Sequence, residues 1–296
     1  MSMLSSTQGT SERVWSLIAL LREHDGKISR AEAAAWLNPE FSKDGQTIGE
    51  KAGTFNAVLG AATSMGAVTY VGPELQLNLT CEADTYDQLA DWLFRQLTEL
   101  SPQEKDALFL ELFAWMMCES AKRQTSGWLI GMTNSEFADR AEAVLPSGAV
   151  DDVESRMNST KVPFVRRWLV FLGLMEELNA NPSSEIDMSR RFRREVSRLG
   201  LDREVPIQAE EFLRMMRQKM PFIDGGRMYM DAARRINFTP DPRQLSPLLS
   251  EALRDLHDEG MLELNVLGDL SSNLRLHPNA THKVSAFYAV TIKGGV

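Results

Sequence analysis

The chain has 296 residues, 43% of them hydrophobic and 25% charged, which is ordinary for a soluble globular protein of two or three domains. Its net charge of −9 is unfavourable for a DNA-binding protein, which usually carries a basic surface. No apolar run reaches the roughly 18 residues that a membrane span needs, so we expect no membrane partner. The two cysteines lie far apart in sequence, which argues against a disulfide scaffold and indicates a cytoplasmic protein.

The first ten residues are polar, uncharged and rich in serine and threonine. A signal peptide needs a basic start followed by an apolar stretch, and this segment has neither. We therefore expect residues 1–10 to form a frayed tail.

One pattern occurs three times along the chain. A helix-like apolar stretch ends in a glycine, at Gly66, Gly173 and Gly260, and a stretch with the character of a β-hairpin follows at once. Two further helical segments precede each glycine. A helix that turns sharply into a strand needs a residue with left-handed backbone geometry, which glycine adopts without a steric penalty. This is the element order of a winged helix, and it indicates nucleic-acid or partner binding rather than catalysis.

The sequence therefore predicts a mostly α protein with small β-hairpins, built from tandem winged-helix domains with a helical insert. The predicted parts are a winged-helix domain at 1–80, an acidic helical insert at 81–132, a second winged-helix-like domain with a basic helix at 133–204, and a third winged-helix domain at 205–296. The predicted hairpins pair 67–71 with 75–79, 174–178 with 185–188, and 261–267 with 274–278.

In the first domain, Ser11 is placed to cap a helix whose apolar side chains recur with the period of an α-helix. They are Val14, Leu17, Ile18 and Leu21. Ser29 and Glu32 form a capping-box pattern for a second helix. A third helix over 47–65 would be the recognition helix, and its exposed candidates are Glu50, Lys51, Thr54 and Asn56. Because that surface is nearly neutral, we favour packing or protein contact over DNA contact here.

The insert is strongly acidic, with nine acidic and two basic residues between Glu82 and Glu119. An apolar stripe predicts one helix over 86–97, and a capping box at Ser101 and Glu104 predicts the start of the next. We interpret the acidic side chains as a solvated face that points away from any nucleic acid, because like charge near phosphate weakens binding. The same face could instead attract a basic partner.

The second domain holds the strongest basic cluster, five arginines within nine residues after its hairpin. The helix before the hairpin, at 161–172, also directs basic side chains outward in its predicted register. Arginine suits phosphate because its planar guanidinium binds two oxygens at once. The predicted DNA-binding residues are Lys161, Arg166, Arg167, Arg190, Arg191, Arg193 and Arg194. The alternative is an amphipathic helix with Phe192, Val196 and Leu199 inward and the arginines in solvent.

In the third domain, Ser246 and Pro247 predict the start of the last helix. Its predicted buried face is Leu248, Leu249, Ala252, Leu253 and Leu256. The predicted outer face, with Glu251, Arg254, Asp255 and Asp258, is mostly acidic and suits a major groove poorly. Apolar alternation over 283–292 predicts a final strand that pairs with the wing.

Motifs of known catalytic sites are missing from the sequence, which has no Walker A, G-x-G-x-x-G, G-x-S-x-G or H-E-x-x-H pattern. The four histidines are scattered, with no cysteine near them in sequence. We therefore expect no metal, no cofactor and no enzymatic activity.

Three stretches of the latter half resemble a known family. They are RRWLVFLGL at 166–174, MPFIDGG at 220–226 and LSPLLSEALRDLHDEGMLEL at 245–264. They are similar to the DpdG-like accessory proteins of bacterial clusters that put 7-deazaguanine derivatives into DNA and restrict foreign DNA. The resemblance implies a non-enzymatic component of a DNA modification and restriction system, and it transfers no site residues.

Together these features predict a DNA-associated adaptor in a bacterial DNA modification, restriction or defence complex. Its expected partners are double-stranded DNA and other proteins of the same complex. The alternative is a protein-interaction scaffold with winged-helix domains and no direct DNA contact. A transcriptional regulator is a third possibility, but it would usually need a dimer, and no coiled-coil heptads offer one.

Overall fold

The computed structural model describes residues 2–38, 52–147, 155–177, 184–266 and 273–293. Within these ranges the α-helices are α1 (Ser11–Glu23), α2 (Arg30–Leu37), α3 (Ala52–Ser64), α4 (Tyr86–Glu99), α5 (Leu108–Arg123), α6 (Asn134–Val144), α7 (Val162–Phe171), α8 (Ser189–Ser197), α9 (Ala209–Lys219), α10 (Arg227–Arg235) and α11 (Pro247–Asp258). The strands are β1 (Lys27–Ser29), β2 (Val68–Val71), β3 (Glu74–Leu77), β4 (Met175–Glu177), β5 (Ser184–Ile186), β6 (Pro206–Gln208), β7 (Leu262–Asn265), β8 (Leu274–Arg275), β9 (Ala286–Phe287) and β10 (Ala289–Ile292). The predicted mostly α class with small β-hairpins is confirmed.

The chain divides into two compact units. The first comprises Met1–Ala107 and Thr160–Leu172, and the second comprises Leu108–Ser159 and Gly173–Val296. Helix α7 therefore belongs to the first unit, whereas α6 and the hairpin β4–β5 belong to the second. The predicted domain boundaries at 80, 132 and 204 stay predictions.

The core of the first unit forms where α1 packs on α3 and on the sheet. All four predicted core residues of α1 are fully buried. The side chain of Ser29 accepts the N–H of Glu32 at 3.1 Å and so caps α2. The strands form an antiparallel sheet in the order β1-β3-β2, with Leu75 opposite both Ile28 and Tyr70. Of the predicted recognition helix 47–65, residues 47–51 lie outside the described residues, including Glu50 and Lys51.

The N-terminal segment is anchored, so the prediction of a frayed tail is wrong for residues 2–10. Met3 is 2% exposed, and the carboxylate of Asp106 accepts the Ser2 hydroxyl at 2.6 Å and the Met3 N–H at 3.0 Å. Gly9 lies against α3 so closely that an added Cβ would be 3.0 Å from the carbonyl oxygen of Ala57. The buried Met3 side chain and the buried carboxylate of Asp106 thus hold in place a segment whose composition alone predicted no fixed structure.

The predicted insert differs in two respects. Ser101 and Glu104 make their hydrogen bonds, with 2.6 Å between the Ser101 nitrogen and the Glu104 carboxylate, but α5 begins only at Leu108, after a 3-10 turn over Lys105–Ala107. The predicted solvated acidic face is also incomplete, because Asp91, Asp106 and Glu111 are buried. Glu111 is 1% exposed and pairs with Arg235 at 2.7 Å. Burial raises the pKa of Glu111, and the pair with Arg235 offsets this only in part.

The main sheet of the second unit has the order β6-β10-β7, and all its pairings are antiparallel. The prediction that the final strand pairs with the strand after Gly260 is confirmed, since β10 pairs with β7. The predicted third hairpin is wrong, because β8 pairs with β9 rather than with β7. The longer β10 offers four register partners to β7, whereas β8 has two residues.

The second hairpin follows Gly173 as predicted, with Met175 opposite Ile186. Gly66, Gly173 and Gly260 have φ angles of 77°, 75° and 71°, the left-handed geometry on which the prediction rested. Thr133 caps α6 through a complete capping box with Glu136. The predicted helix at Asp151 lies outside the described residues.

Candidate nucleic-acid interface

Helix α8 carries the predicted arginine cluster on one side of an amphipathic sequence. Phe192 and Val196 are buried, and the Phe192 ring meets Phe212 of α9 edge to face with 6.3 Å between the centroids. The hydroxyl of Ser189 donates to Asp255 of α11 at 2.6 Å. These contacts tie α8 to the helices that follow it, although the prediction ends the second domain at residue 204. The exposed side chains of α8 lie on its opposite side.

Arg191 is not on that outer side, so the prediction that it projects outward is wrong. Its side chain is fully buried, and its Nη1 lies 3.1 Å from Oε1 of Glu195, one helical turn later. Arg198 approaches the same oxygen at 3.1 Å. Because Arg191 precedes the inward-facing Phe192, its stem follows the apolar side of the helix, and Glu195 neutralises the charge there.

The other three predicted arginines of α8 are accessible to different degrees. Arg190 and Arg193 are exposed, and Arg194 is half-buried. Arg193 forms an ion pair with Glu259, at the end of α11, in which both side chains are nearly half exposed. Such an exposed pair contributes only about 0–1 kcal/mol, so a phosphate could replace Glu259 at little cost.

The remaining predicted residues lie on α7 in the first unit. Arg167 is exposed, whereas Lys161 and Arg166 are half-buried. Burial lowers the pKa of Arg166, because desolvation disfavours the charged guanidinium. The apolar face of α7 is formed as predicted, with Trp168 and Phe171 in edge contact at 5.6 Å.

Sequence reasoning missed Arg13, which shares a cavity with Arg167. This cavity, here called the arginine cleft, has a volume of about 430 Å³ and is lined by Thr7, Gln8, Thr10, Glu12, Arg13, Phe164 and Arg167. Arg13 is exposed on α1, beside its buried stripe. No sequence signal connects it with α7, because about 150 residues separate the two.

The outer face of α11 collects negative charge, as predicted. The prediction that Arg254 lies on this face is wrong, because Arg254 is buried and donates to the backbone oxygens of His277 and Val284. Burial raises the pKa of Glu251, and the carboxylates of Asp255, Asp187 and Glu185 raise it further. Burial likewise raises the pKa of Asp255, although the hydrogen bond from Ser189 opposes this. Crowded carboxylates repel phosphate and favour a positively charged partner.

A buried polar network at the start of α11 was also missed. Asp224 accepts the hydroxyl of Ser246 at 2.7 Å, and that hydroxyl in turn accepts the N–H of Leu249 at 3.3 Å. Burial raises the pKa of Asp224 despite these hydrogen bonds. The backbone oxygen of Asp224 accepts Nε of Arg217 at 2.7 Å. The network fixes the turn before α10 to the first turn of α11, which is a structural task.

Metal binding and membrane insertion find no support in the described ranges. These ranges contain no group of three or more His, Cys, Asp or Glu side chains arranged to hold a metal ion. None of the helices within them is both long and apolar enough to span a membrane.

Comparison with known proteins connects this geometry to a family. No curated protein and no solved structure matches the chain. A family model described as DpdG-like matches residues 1–270, which include the arginine cleft, α8 and α11. This family is associated with DNA modification clusters. The match covers most of the chain, and the chain therefore belongs to the DpdG-like family.

Proposed function

We propose that the protein is a non-enzymatic, DNA-associated adaptor in a bacterial DNA modification and restriction or defence complex. Its partners would be double-stranded DNA and other proteins of the complex. The observation that carries this proposal is the outer side of α8, where Arg190, Arg193 and the half-buried Arg194 lie on a helix held firmly from behind. Membership of a family associated with DNA modification supports the choice of DNA as the partner.

Winged-helix domains are part of this proposal, and the order of the elements supports them. In the first unit the order is helix, strand, two helices and two strands, with the sheet order β1-β3-β2. From α8 to β10 the same order recurs with the sheet order β6-β10-β7, with α10 and the short strands β8 and β9 inserted. The helix before the paired strands is then the recognition-type helix in each region, α3 in the first and α11 in the second.

Neither recognition-type helix suits phosphate. The described part of α3 has no charged side chain, and the outer face of α11 is acidic. We therefore assign the DNA contact to α8 in the second unit. Further proposed contacts in the first unit are Lys161, just before α7, and Arg166 and Arg167 of α7. Arg191 has no part in it because it is buried.

The test is titration of duplex DNA at two salt concentrations. Replacing Arg190, Arg193 and Arg194 together by alanine should weaken binding about equally for all DNA sequences and reduce the salt slope by about 0.9 for each phosphate that the variant no longer neutralises. A matched control replaces Arg214, Arg234 and Arg275, which are exposed and already paired with carboxylates. Equal affinities and slopes for the two triple variants would exclude DNA contact by α8.

The alternative is a protein-interaction scaffold without direct DNA contact. The acidic face of α11 favours it, because Glu251 and Asp255 lie beside Glu185 and Asp187. In that case wild-type protein shows no DNA binding at physiological salt. Replacing Glu251 and Asp255 by lysine would then release a basic protein partner while the α8 triple variant retains it.

A further inference from the structure

The arginine cleft brings together residues that the chain keeps far apart. Residues 7–10 form one wall, α1 contributes Arg13 and Glu12, and α7 contributes Phe164 and Arg167. The wall is fixed, because Gly9 fits tightly against α3 and Met3 is buried. Phe164 and Arg167 lie three residues apart on α7 and therefore on the same side of that helix.

The chemistry of the cleft combines an anion site with an aromatic surface. Arg13 donates from Nη1 to the carbonyl oxygen of Gln8 at 3.2 Å and to the Gln8 side chain, which orients the guanidinium and leaves its other N–H groups available. Arg167 is exposed on the other side of the cavity. Glu12 is the one acidic residue among the lining residues, so the cleft carries a net positive charge. Phe164 is half-buried and offers a ring beside the two arginines.

We propose that the arginine cleft binds one unpaired nucleotide of a DNA strand, with its phosphate between Arg13 and Arg167 and its base against Phe164. This inference rests on the proposed function, in that it assumes a DNA partner. The volume of about 430 Å³ is in the range of small-ligand sites, which begin at about 300 Å³. Stacking on an aromatic ring requires an exposed base face, which single strands and flipped bases have and an intact duplex lacks.

The experiment compares single-stranded and duplex oligonucleotides of the same sequence by fluorescence anisotropy on the full chain. The double variant Arg13→Ala with Arg167→Ala should bind the single strand about tenfold or more weakly, because it loses charge-assisted hydrogen bonds. Its salt slope should fall by about 0.7, which corresponds to one phosphate of a single strand. Arg95→Ala removes one exposed arginine of the same unit outside the cleft and serves as the control for the loss of a positive charge.

A second variant separates stacking from charge. Phe164→Leu should weaken single-strand binding about tenfold without changing the salt slope, because stacking involves no counterion release. Circular dichroism and the unfolding midpoint show that the variant is folded. An equal loss for duplex and single strand in Phe164→Leu, which removes no proposed duplex contact, would overturn the assignment of an unpaired nucleotide.

Two further measurements are needed. One distinguishes a nucleotide within a DNA strand from a free nucleotide, and the other distinguishes a failure of this proposal from a failure of the proposed function. Free dGMP should compete only at concentrations at least a hundredfold higher than the single strand, and equal potency would overturn the assignment to a strand. If the α8 triple variant loses duplex binding while the cleft variants bind single strands like wild type, the cleft proposal is wrong and the proposed function stands. If wild-type protein binds neither form of DNA, both proposals are wrong.

Discussion

The region from α1 to β3 and the region from α8 to β10 share an order of elements but differ in what they bury. In the first, the helix packing is apolar, with Val14, Leu17 and Ile18 fully buried. In the second, Arg191, Glu195 and Asp224 are buried beside the apolar side chains. Apolar periodicity and glycine geometry account for the helices and the helix-to-strand turns that the two regions share. Buried charge then adds interactions whose removal leaves a partner uncompensated.

The largest expected effect tests the insertion that distinguishes the second region. A Cβ added to Gly226, just before α10, would lie 2.3 Å from the carbonyl oxygen of Pro221. Because that atom belongs to the backbone, Gly226→Ala should lower the free energy of unfolding by about 3 kcal/mol or more. Urea denaturation measures it. Gly127→Ala is the control, since its Cβ would make only ordinary contacts, and similar decreases for the two would contradict the prediction.

The next effect tests the buried charge of α8. Arg191→Ala leaves Glu195 buried with only Arg198 as an ion-pair partner among the described residues, so it should destabilise the protein by about 2 to 3 kcal/mol. Arg190→Ala, at the exposed neighbouring position, should change stability by less than about 0.5 kcal/mol. Thermal unfolding of the two variants gives the comparison, and equal midpoints would mean that the buried pair contributes little.

A smaller effect tests what the two regions share. Gly66 and Gly260 both have left-handed φ angles and no atom within 4 Å of an added Cβ. Alanine at either position should therefore cost a similar amount, about 1 kcal/mol, from backbone strain alone. Asparagine, which tolerates this geometry better, should cost less. Gly173→Ala should cost a similar amount, because its Cβ would meet other atoms only at ordinary contact distances of 3.4 Å or more. Denaturation midpoints that differ clearly between Gly66→Ala and Gly260→Ala would contradict the equivalence.

The smallest effect concerns pH. Burial raises the pKa of Asp224, so its carboxylate binds a proton more tightly in the folded protein than in the unfolded chain. The pKa of an aspartate in the unfolded chain is about 3.9. The contribution of Asp224 to stability should therefore fall as pH rises through this value towards the folded pKa. Unfolding of wild type and Asp224→Asn between pH 4 and pH 7 measures it. A wild-type stability that rises relative to the variant over this range would reverse the sign.

Most of the helices and the left-handed glycines could be predicted from sequence, because caps and apolar periodicity are local. Ser29, Thr133 and Ser246 each cap the helix that follows. Strand pairing was harder to predict from sequence, since β7 and β8 have similar local sequence signals. Only the tertiary arrangement determines that β10 pairs with β7. The prediction for the N-terminal segment failed for the same reason, because its partner Asp106 lies about 100 residues away in sequence.

For the candidate interface, the sequence predicted the location of the basic helix but not which of its side chains are buried and which are exposed. Helical periodicity places Arg191 near the inward side, but a charged residue is ordinarily assigned to solvent. The ion pair with Glu195 in the same buried layer contributes to making the inward orientation energetically acceptable. The arginine cleft could not be predicted from the sequence, because it depends on how α1 and α7 pack within the first unit.

The carboxylates around α8 have a consequence for the kinetics of any association. Arg191 and Arg198 both face Glu195, and Arg193 faces Glu259, so the field that α8 projects into solvent is weaker than its number of arginines suggests. Long-range attraction raises association rates only where charge is left uncompensated. An approaching polyanion would therefore be captured slowly and then retained by short-range contacts, and the duration of the complex rather than the speed of encounter would set how much protein is bound.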